Sequence, residues 1–205
     1  IYVYANGVGP IHKTVNRKLT AKVLNGVDFI TLRDDDSLDV LRDIGVTKPE
    51  MEVTADPVYG IEGIGEGAAR ALLREERIPV DRRFMGVAVR QWKKAPALAK
   101  KMAYVADRVY EECGIDTLFT PLHYPEDKHF ADSIKAAMVH KEHGHVLAGN
   151  YAVEEMEGII GLCDVMIAMR LHALIYAVTS KTPVVGVVYD PKVKSQLEAL
   201  GIPSD

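Results

Sequence analysis

The sequence predicts an α/β fold whose strands run parallel. Short apolar runs alternate with longer amphipathic stretches along the whole chain, which is the pattern of repeated βαβ units. Runs such as 184–188 show no polar alternation, as is typical of strands buried on both faces of a parallel sheet. A charged stretch that contains a proline, at 74–83, separates two blocks of these units. This stretch is either a linker between two domains or a surface loop within one sheet.

Each apolar run is assigned to a strand and each amphipathic stretch to a helix. The predicted strands are 1–5, 28–32, 51–55, 84–89, 117–121, 145–148, 165–168 and 183–188. The predicted helices are 15–25, 37–44, 68–77, 97–113, 127–143, 153–162, 173–180 and 193–200. The helix at 97–113 is the clearest, because five apolar side chains recur at spacings of three and four: Leu98, Met102, Val105, Val109 and Cys113. Gly114 follows that helix as a C-cap.

The composition excludes several classes of protein. Hydrophobic residues make up 48% of the 205 residues and charged residues 26%, which is ordinary for a globular protein and excludes a disordered chain. A net charge of -4 gives no electrostatic footprint for nucleic acid. No apolar run approaches the roughly 18 residues of a membrane span, and no signal peptide is visible. Cys113 and Cys163 are too few for a disulfide framework, so we expect both to be reduced core residues of a cytoplasmic protein.

The ends of the chain bear on domain organisation. The chain opens directly on a strand, without an initiator methionine, and residues 1–73 contain only three predicted strands. Three strands are few for an α/β domain. We therefore expect residues 1–80 to be the C-terminal part of an incomplete N-terminal Rossmann-like domain and 81–205 to be a C-terminal Rossmann-like domain. A processed native N-terminus is the alternative.

Ligands of open α/β sheets bind at the carboxyl ends of the strands, so the residues after each strand are the candidate site residues. The first strand is followed by a glycine-rich loop, 6–10, which reads as a ligand-binding loop or a structural turn. Arg33 follows the second strand and could bind an anion or pair with neighbouring aspartates. Asp56 follows the third and could act as a base or fix an Asx-turn. Asp36 or Ser37 is expected to cap the next helix.

The second block has a stronger signal at the corresponding positions. Arg90 follows the strand at 84–89 and could bind an anion or, with Lys93 and Lys94 adjacent, belong to a solvated face. Trp92 could stack on a ligand or cover the loop. Arg170 and His172 flank the join between a buried strand and an apolar helix, where a helix N-terminus attracts anions. Lys192 follows the next strand. Together with Arg33 of the first block, Arg170, Lys192 and His172 would make three cations and one acid–base group at the strand ends, which suits a small polyanion.

The other clusters of histidines are not assigned to a functional site. His123 and its neighbouring carboxylates match no metal-site spacing, so no metal is expected. Asp127 is expected to be the N-cap of the following helix. His140, His143 and His145 lie at a helix end and are expected to be solvated surface residues.

Five segments in this order resemble the polysaccharide pyruvyl transferases, and in particular the branch called CsaB, which pyruvylates cell-wall polysaccharide in bacteria that anchor S-layer proteins. They are residues 4–11 (YANGVGPI), 31–34 (TLRD) with Ser37, 53–57 (VTADP), 169–173 (MRLHA) and 189–192 (YDPK). The resemblance runs from Tyr4 to Lys192. It implies a GT-B-like architecture, with two Rossmann-like domains and an active site in the cleft between them.

The resemblance implies transfer of an enolpyruvyl unit from phosphoenolpyruvate (PEP) to a sugar, with release of phosphate. In the CsaB-like branch the implied acceptor is an N-acetylmannosamine of a lipid-linked or polymeric glycan, and the product is a 4,6-ketal made at the inner face of the membrane. Arg33, Arg170 and Lys192 would hold PEP. His172 would be the general acid, with Arg33 and Lys192 as further catalytic residues. The other donor-binding residues implied are Gly7, Gly9 and Arg90. Neither a metal nor an organic cofactor is implied.

Two other functions remain open from the sequence. A GT-B glycosyltransferase or sugar-nucleotide epimerase would share the fold. It would need a carboxylate to bind the ribose hydroxyls of a nucleotide, for which Glu154 and Glu155 are candidates. A non-catalytic glycan-binding fragment would bind the acceptor without releasing phosphate. Preference for PEP or for a nucleotide sugar distinguishes the enzymes from each other.

Overall fold

The computed structural model describes residues 1–93, 95–188, 194, 197, 198 and 201. The chain divides into two compact units, Ile1–Gly60 and Ile61–Asp205. The division falls before the predicted domain boundary at residue 80, which stays a prediction. In the part of the chain that is described, no helix combines the length and the apolarity that crossing a membrane requires.

The first unit contains a three-stranded parallel sheet in the order β1-β2-β3. Its elements are β1 (Tyr2–Asn6), α1 (Thr14–Leu24), β2 (Phe29–Leu32), α2 (Asp35–Asp43), β3 (Glu50–Val53) and a 3₁₀ turn at Pro57–Gly60. The central strand and α2 supply the core, in which Ile30, Leu32, Leu41 and Val46 are fully buried. Each strand is followed by a loop at the same edge of the sheet, since all three strands run in one direction.

The second unit contains a five-stranded parallel sheet in the order β6-β5-β4-β7-β8. Its elements are α3 (Glu66–Glu75), β4 (Phe84–Ala88), α4 (Leu98–Cys113), β5 (Asp116–Phe119), α5 (Glu126–Ala137), β6 (Gly144–Val146), α6 (Val153–Ile160), β7 (Val165–Ala168), α7 (Leu171–Thr179) and β8 (Val184–Gly186). The chain adds β5 and β6 on one side of β4, then crosses over to add β7 and β8 on the other. The strand order therefore reverses between β4 and β7, which makes the carboxyl ends of these two strands the expected ligand-binding position.

The α/β class and the parallel strands are confirmed. All eight predicted strands are present, with ends within two residues of those expected. The strand β4 is buried along its whole length and shows no polar alternation. The prediction that 184–188 is buried on both faces is wrong: β8 is an edge strand of the sheet, and Val185 and Val188 are exposed. Part of the last predicted helix, 193–200, lies outside the described residues.

One helix prediction is wrong. The stretch expected to form a single helix over 127–143 is divided: α5 ends at Ala137, Met138 is extended, and Lys141–His143 forms a separate 3₁₀ turn. The cause is the buried carboxylate of Asp107 on α4, which accepts hydrogen bonds from the backbone N–H groups of Val139 and His140 at 2.9 to 3.1 Å. These N–H groups are thereby drawn away from the helical carbonyls.

The two cysteines lie in different environments. Cys163 is buried, and burial raises the pKa of its thiol to about 12. Cys113 is exposed in the last turn of α4, so the expectation that it belongs to the core is wrong. The buried residues of α4 end at Asp107, and the last turn of the helix is exposed. Gly114 ends the helix with a φ of 64°, as expected for a C-cap.

Candidate active site

The strand ends at the reversal of strand order bring two predicted site residues close in the sheet. Ala88 at the end of β4 pairs with Ala168 at the end of β7. Arg90 lies two residues after Ala88, and Arg170 lies two residues after Ala168. Both arginines are therefore at the carboxyl ends of neighbouring strands. The guanidinium of Arg90 lies over the ring of Trp92, with 5.9 Å from Cζ to the ring centroid. A cation on this aromatic face is stabilised by the ring quadrupole.

Arg170 is the N-cap residue of α7 and forms an ion pair with Asp127. Its Nε donates to Asp127 Oδ2 at 2.9 Å, and its Nη2 donates to Asp127 Oδ1. The prediction that Asp127 caps α5 is wrong, because the N-cap is Pro125 and no side chain caps that helix. The Asp127 carboxylate instead binds Arg170 and the backbone N–H of His123. A bidentate pair occupies two of the five guanidinium donors, so the others can still bind an anion.

His172 lies in the first turn of α7, directly after β7. Its side chain is exposed, and its ring lies 6.2 Å from that of Tyr176, one helical turn further on. The first turn of a helix presents unpaired backbone N–H groups and the positive end of the helix dipole. An imidazole here is placed beside a favourable position for an anion. Lys192, the fourth predicted residue of this edge, lies outside the described residues.

The first unit has its own cluster of predicted site residues, around the glycine-rich loop. Ala5 has a φ of 46°, and the pairing of β1 with β2 shifts register between Val3 and Asn6. This bulge turns the chain out of β1 into the loop. A Cβ on Gly7 would lie 2.6 Å from Cζ of Arg33, so only glycine leaves room for the guanidinium. Gly9 has a φ of 100°, a conformation that favours glycine.

Arg33 lies against this loop and also contacts two carboxylates. Its Nη1 donates to Asp56 at 3.0 Å, and its Nε lies 3.6 Å from Asp34. The alternative predicted from the sequence, that Arg33 pairs with neighbouring aspartates, is therefore confirmed. Among the described residues, no acceptor lies within hydrogen-bonding reach of the buried Nε. This Nε packs against the glycine-rich loop, in the place that a side chain at position 7 would otherwise occupy.

The polar side chains around this loop differ from the predicted capping pattern. The helix α2 is capped by Asp34, whose side chain accepts from the N–H of Ser37 at 2.7 Å, and not by Asp36 or Ser37. The Ser37 hydroxyl is buried and accepts from the N–H of Val8 at 2.7 Å, so it fixes the glycine-rich loop. Asp56 forms the expected Asx-turn, because its Oδ1 accepts from the N–H of Val58.

The interpretation of His143 and His145 as solvated surface residues is wrong. The carboxylate of Asp116 accepts a hydrogen bond from a ring nitrogen of each histidine at 3.0 Å, and another from Arg82. Because Asp116 is the first residue of β5, this cluster lies at the amino edge of the sheet, opposite the candidate site. The side chain of Asp116 is only 2% exposed. His145 lies on β6 and His143 in the 3₁₀ turn just before it, so no single periodicity in the sequence indicates that the two rings meet at Asp116. Within the described residues, no group of three or more His, Cys, Asp or Glu side chains is arranged to hold a metal ion.

Sequence reasoning also missed Glu76, which fixes the loop after β6. Its carboxylate accepts from the backbone N–H groups of Ala148 and Gly149 at 2.6 Å each, and from the hydroxyl of Tyr151. Burial and the bond to Glu76 raise the pKa of Tyr151 well above its usual range. No local pattern signals this contact, because Glu76 is separated from its partners by more than 70 residues.

Comparison with known proteins gives a family match over most of the chain. The family described as polysaccharide pyruvyl transferase matches residues 1–191. The amylovoran biosynthesis protein AmsJ of Erwinia amylovora is 21% identical over 99% of this chain and 52% of its own length. The chain therefore spans about half the length of this relative.

Comparison with solved structures supports the fold class. The UDP-GlcNAc 2-epimerase of Neisseria meningitidis matches 88% of this chain and 50% of its own, with a TM-score of 0.58 at 10% identity. The ADP-heptose lipopolysaccharide heptosyltransferase II of E. coli matches 84% of this chain and 66% of its own, with a TM-score of 0.53 at 12% identity. At these identities the similarity shows the GT-B-like fold class and does not extend to activity.

Proposed function

Because the chain belongs to the polysaccharide pyruvyl transferase family, we propose that it transfers a pyruvyl group from PEP, as a ketal, to a sugar of a cell-wall polysaccharide precursor. The observation that carries this proposal is the position of Arg90, Arg170 and His172 at the carboxyl ends of β4 and β7, where the strand order reverses. Cations and an acid–base group at this position suit a donor with about three negative charges near neutral pH. The proposed acceptor is an N-acetylmannosamine of a lipid-linked or polymeric glycan, reached from the cytoplasmic face of the membrane.

The proposed chemistry begins with protonation of PEP. His172 gives a proton to the methylene carbon, and the adjacent carbon becomes oxocarbenium-like. A sugar hydroxyl attacks that carbon and loses its proton, which restores the acid. A second hydroxyl then displaces phosphate and closes the ketal, and its proton leaves with the phosphate. One hydroxyl proton thus replaces the proton placed on carbon, so the reaction is balanced without a redox partner.

The proposed donor contacts are cationic. Arg33, Arg170 and Lys192 hold the phosphate and carboxylate of PEP, and Arg90 adds positive charge beside the ends of β4 and β7. Arg170 supports this role because its bidentate bond to Asp127 leaves further N–H donors available. Arg33 supports it through the buried Nε beside Gly7. Departing phosphate is stabilised by these fixed cations.

The first test is thermal melting with and without PEP. We expect PEP at about 100 times its Kd to add about 2.7 kcal/mol to the free energy of unfolding, which raises the melting temperature measurably. We expect Arg170→Ala to lose this shift, because the variant removes a donor of the anion site. A shift with a UDP-sugar, and none with PEP, would instead indicate a glycosyltransferase or an epimerase. A PEP shift of full size in Arg170→Ala would remove Arg170 from the donor site.

Gly7→Ala tests the donor role of Arg33 separately. The new Cβ would lie 2.6 Å from Cζ of Arg33, so the guanidinium must leave its place. Because a flexible side-chain end can move, we expect the melting temperature without ligand to change little. We expect the PEP-induced rise in melting temperature to become smaller, since the Arg33 guanidinium no longer lies beside the glycine-rich loop. Gly60→Ala is the matched control, because a Cβ at that position would meet no neighbouring atom within 4 Å. Equal PEP shifts in both variants would contradict a role for Arg33.

A further inference from the structure

Asp127 is a buried carboxylate at the carboxyl edge of the five-stranded sheet. Its side chain is 2% exposed, against 20% for its partner Arg170. Within the described part of the chain, the hydrogen bonds that it accepts come from loops at this edge: two from the Arg170 guanidinium and one from the backbone N–H of His123 at 3.0 Å. A carboxylate buried to this extent is tolerated only when it is paired in this way.

The topology gives this ion pair a particular place. Asp127 follows β5 and Arg170 follows β7, and β4 lies between these two strands in the sheet. The pair therefore joins the first turn of α5 to the N-cap of α7 across the carboxyl end of β4, beside the reversal of strand order. Side chains at such an edge bind ligands in open α/β sheets, so the contact is positioned to orient a ligand-binding group.

We propose that Asp127 is a positioning residue for the anionic donor, acting through Arg170. It fixes the plane of the guanidinium across the end of β4, so that the donors not used by Asp127 meet the phosphate or carboxylate of PEP in one orientation. A guanidinium held in place before binding loses less conformational freedom when the anion arrives. The inference rests on the proposed function, because the anion concerned is PEP.

Net charge and side-chain orientation predict opposite effects of replacing Asp127. Asp127 neutralises Arg170, so its replacement by Asn adds one net positive charge at this edge. A site governed only by net charge would then bind PEP more tightly. A site governed by the orientation of Arg170 would bind PEP more weakly, because the amide offers one acceptor oxygen where the carboxylate offers two.

The experiment is calorimetric titration of the full chain with PEP. We expect Asp127→Asn to raise the Kd for PEP about tenfold or more, and Asp127→Glu, which keeps the charge, to stay within about threefold of the unsubstituted protein. In the Arg170→Ala background we expect Asp127→Asn to add no further loss, since it acts through that arginine. Asp164→Asn is the matched control. Asp164 pairs with Arg83 at 2.8 Å, where β4 and β7 begin, at the opposite edge.

The outcomes separate the inference from the function. Unchanged or tighter PEP binding by Asp127→Asn overturns the inference while leaving the proposed function standing. A lower melting temperature with an unchanged Kd for PEP assigns Asp127 a structural role only, and also overturns it. If Asp127→Asn does not fold, a Kd for Asp127→Glu as weak as that for Arg170→Ala overturns it, because the retained charge should rescue binding. No PEP binding by the unsubstituted protein overturns the proposed function and this inference together.

Discussion

Replacing His172 with Gln is expected to lower turnover by about two to four orders of magnitude, the usual contribution of a positioned general acid. Gln keeps a polar side chain of similar reach but has no proton to give to the methylene carbon of PEP. His172 lies in the first turn of α7, and its side chain is exposed. The substitution should therefore leave the fold and the melting temperature almost unchanged.

Phosphate release with PEP and a β-linked N-acetylmannosaminide acceptor measures the effect. The PEP-induced rise in melting temperature should persist in His172→Gln, because the proposed cations are intact. His129→Gln is the control, since His129 is exposed on α5 and is not among the proposed site residues. If His172→Gln turned over at the rate of the unsubstituted protein, another group would have to supply the proton.

The positions of the candidate site residues could be predicted because they depend on local patterns. A buried parallel strand is a continuous apolar run, and the loop at its carboxyl end begins where that run stops. Arg33, Arg90 and Arg170 were found in this way, and each does lie directly after a strand. The bulge at Ala5 could not be predicted, since an alanine with positive φ leaves no mark in the sequence.

The partners of these residues could not be predicted, because they come from distant parts of the chain. Asp107 ends α5 from 32 residues away, and Asp127 reaches Arg170 across 43 residues. A buried carboxylate is visible in the sequence only as one more polar residue. Its partner is set by which loops the strand order brings together, and the reversal of order beside β4 is a property of the whole sheet.

Asp116→Asn is expected to cause a large loss of stability in the second unit. Asp116 accepts from Arg82 Nη2 at 2.9 Å and contacts His143 and His145 at 3.0 Å each, while its own side chain is almost fully buried. Removing one member of a buried ion pair typically costs about 3–5 kcal/mol. We expect the lower end, about 3 kcal/mol, because Arg82 is partly solvated. For a unit of this size that corresponds to a fall of about 6 to 12 °C in melting temperature.

The pH dependence of this loss follows from the pKa of Asp116. Burial opposes ionisation of the carboxyl group, but hydrogen bonds from Arg82, His145 and His143 outweigh it and hold the pKa below its ordinary value of 3.8. A lowered pKa in the folded state means that the ionised carboxylate adds stability above about pH 4. That contribution declines as the pH falls below the ordinary value and is lost once the folded carboxyl group takes up its proton.

Melting curves of Asp116→Asn and the unsubstituted protein between pH 2 and pH 7 test the loss of stability and its pH dependence. We expect the difference in melting temperature between the two proteins to be largest near neutrality and to shrink in acid. Asp164→Asn is the matched control, because Asp164 and Asp116 both donate their backbone N–H to the start of the β4 segment and both pair with an arginine there. The Arg83–Asp164 pair is exposed, and exposed pairs contribute about 0–1 kcal/mol. An equal loss in the two variants would mean that burial and the two histidines add nothing, whereas a large loss in Asp116→Asn alone would assign the stability to the buried cluster. Because this cluster lies at the amino edge of the sheet, PEP binding by the folded variant should be unchanged.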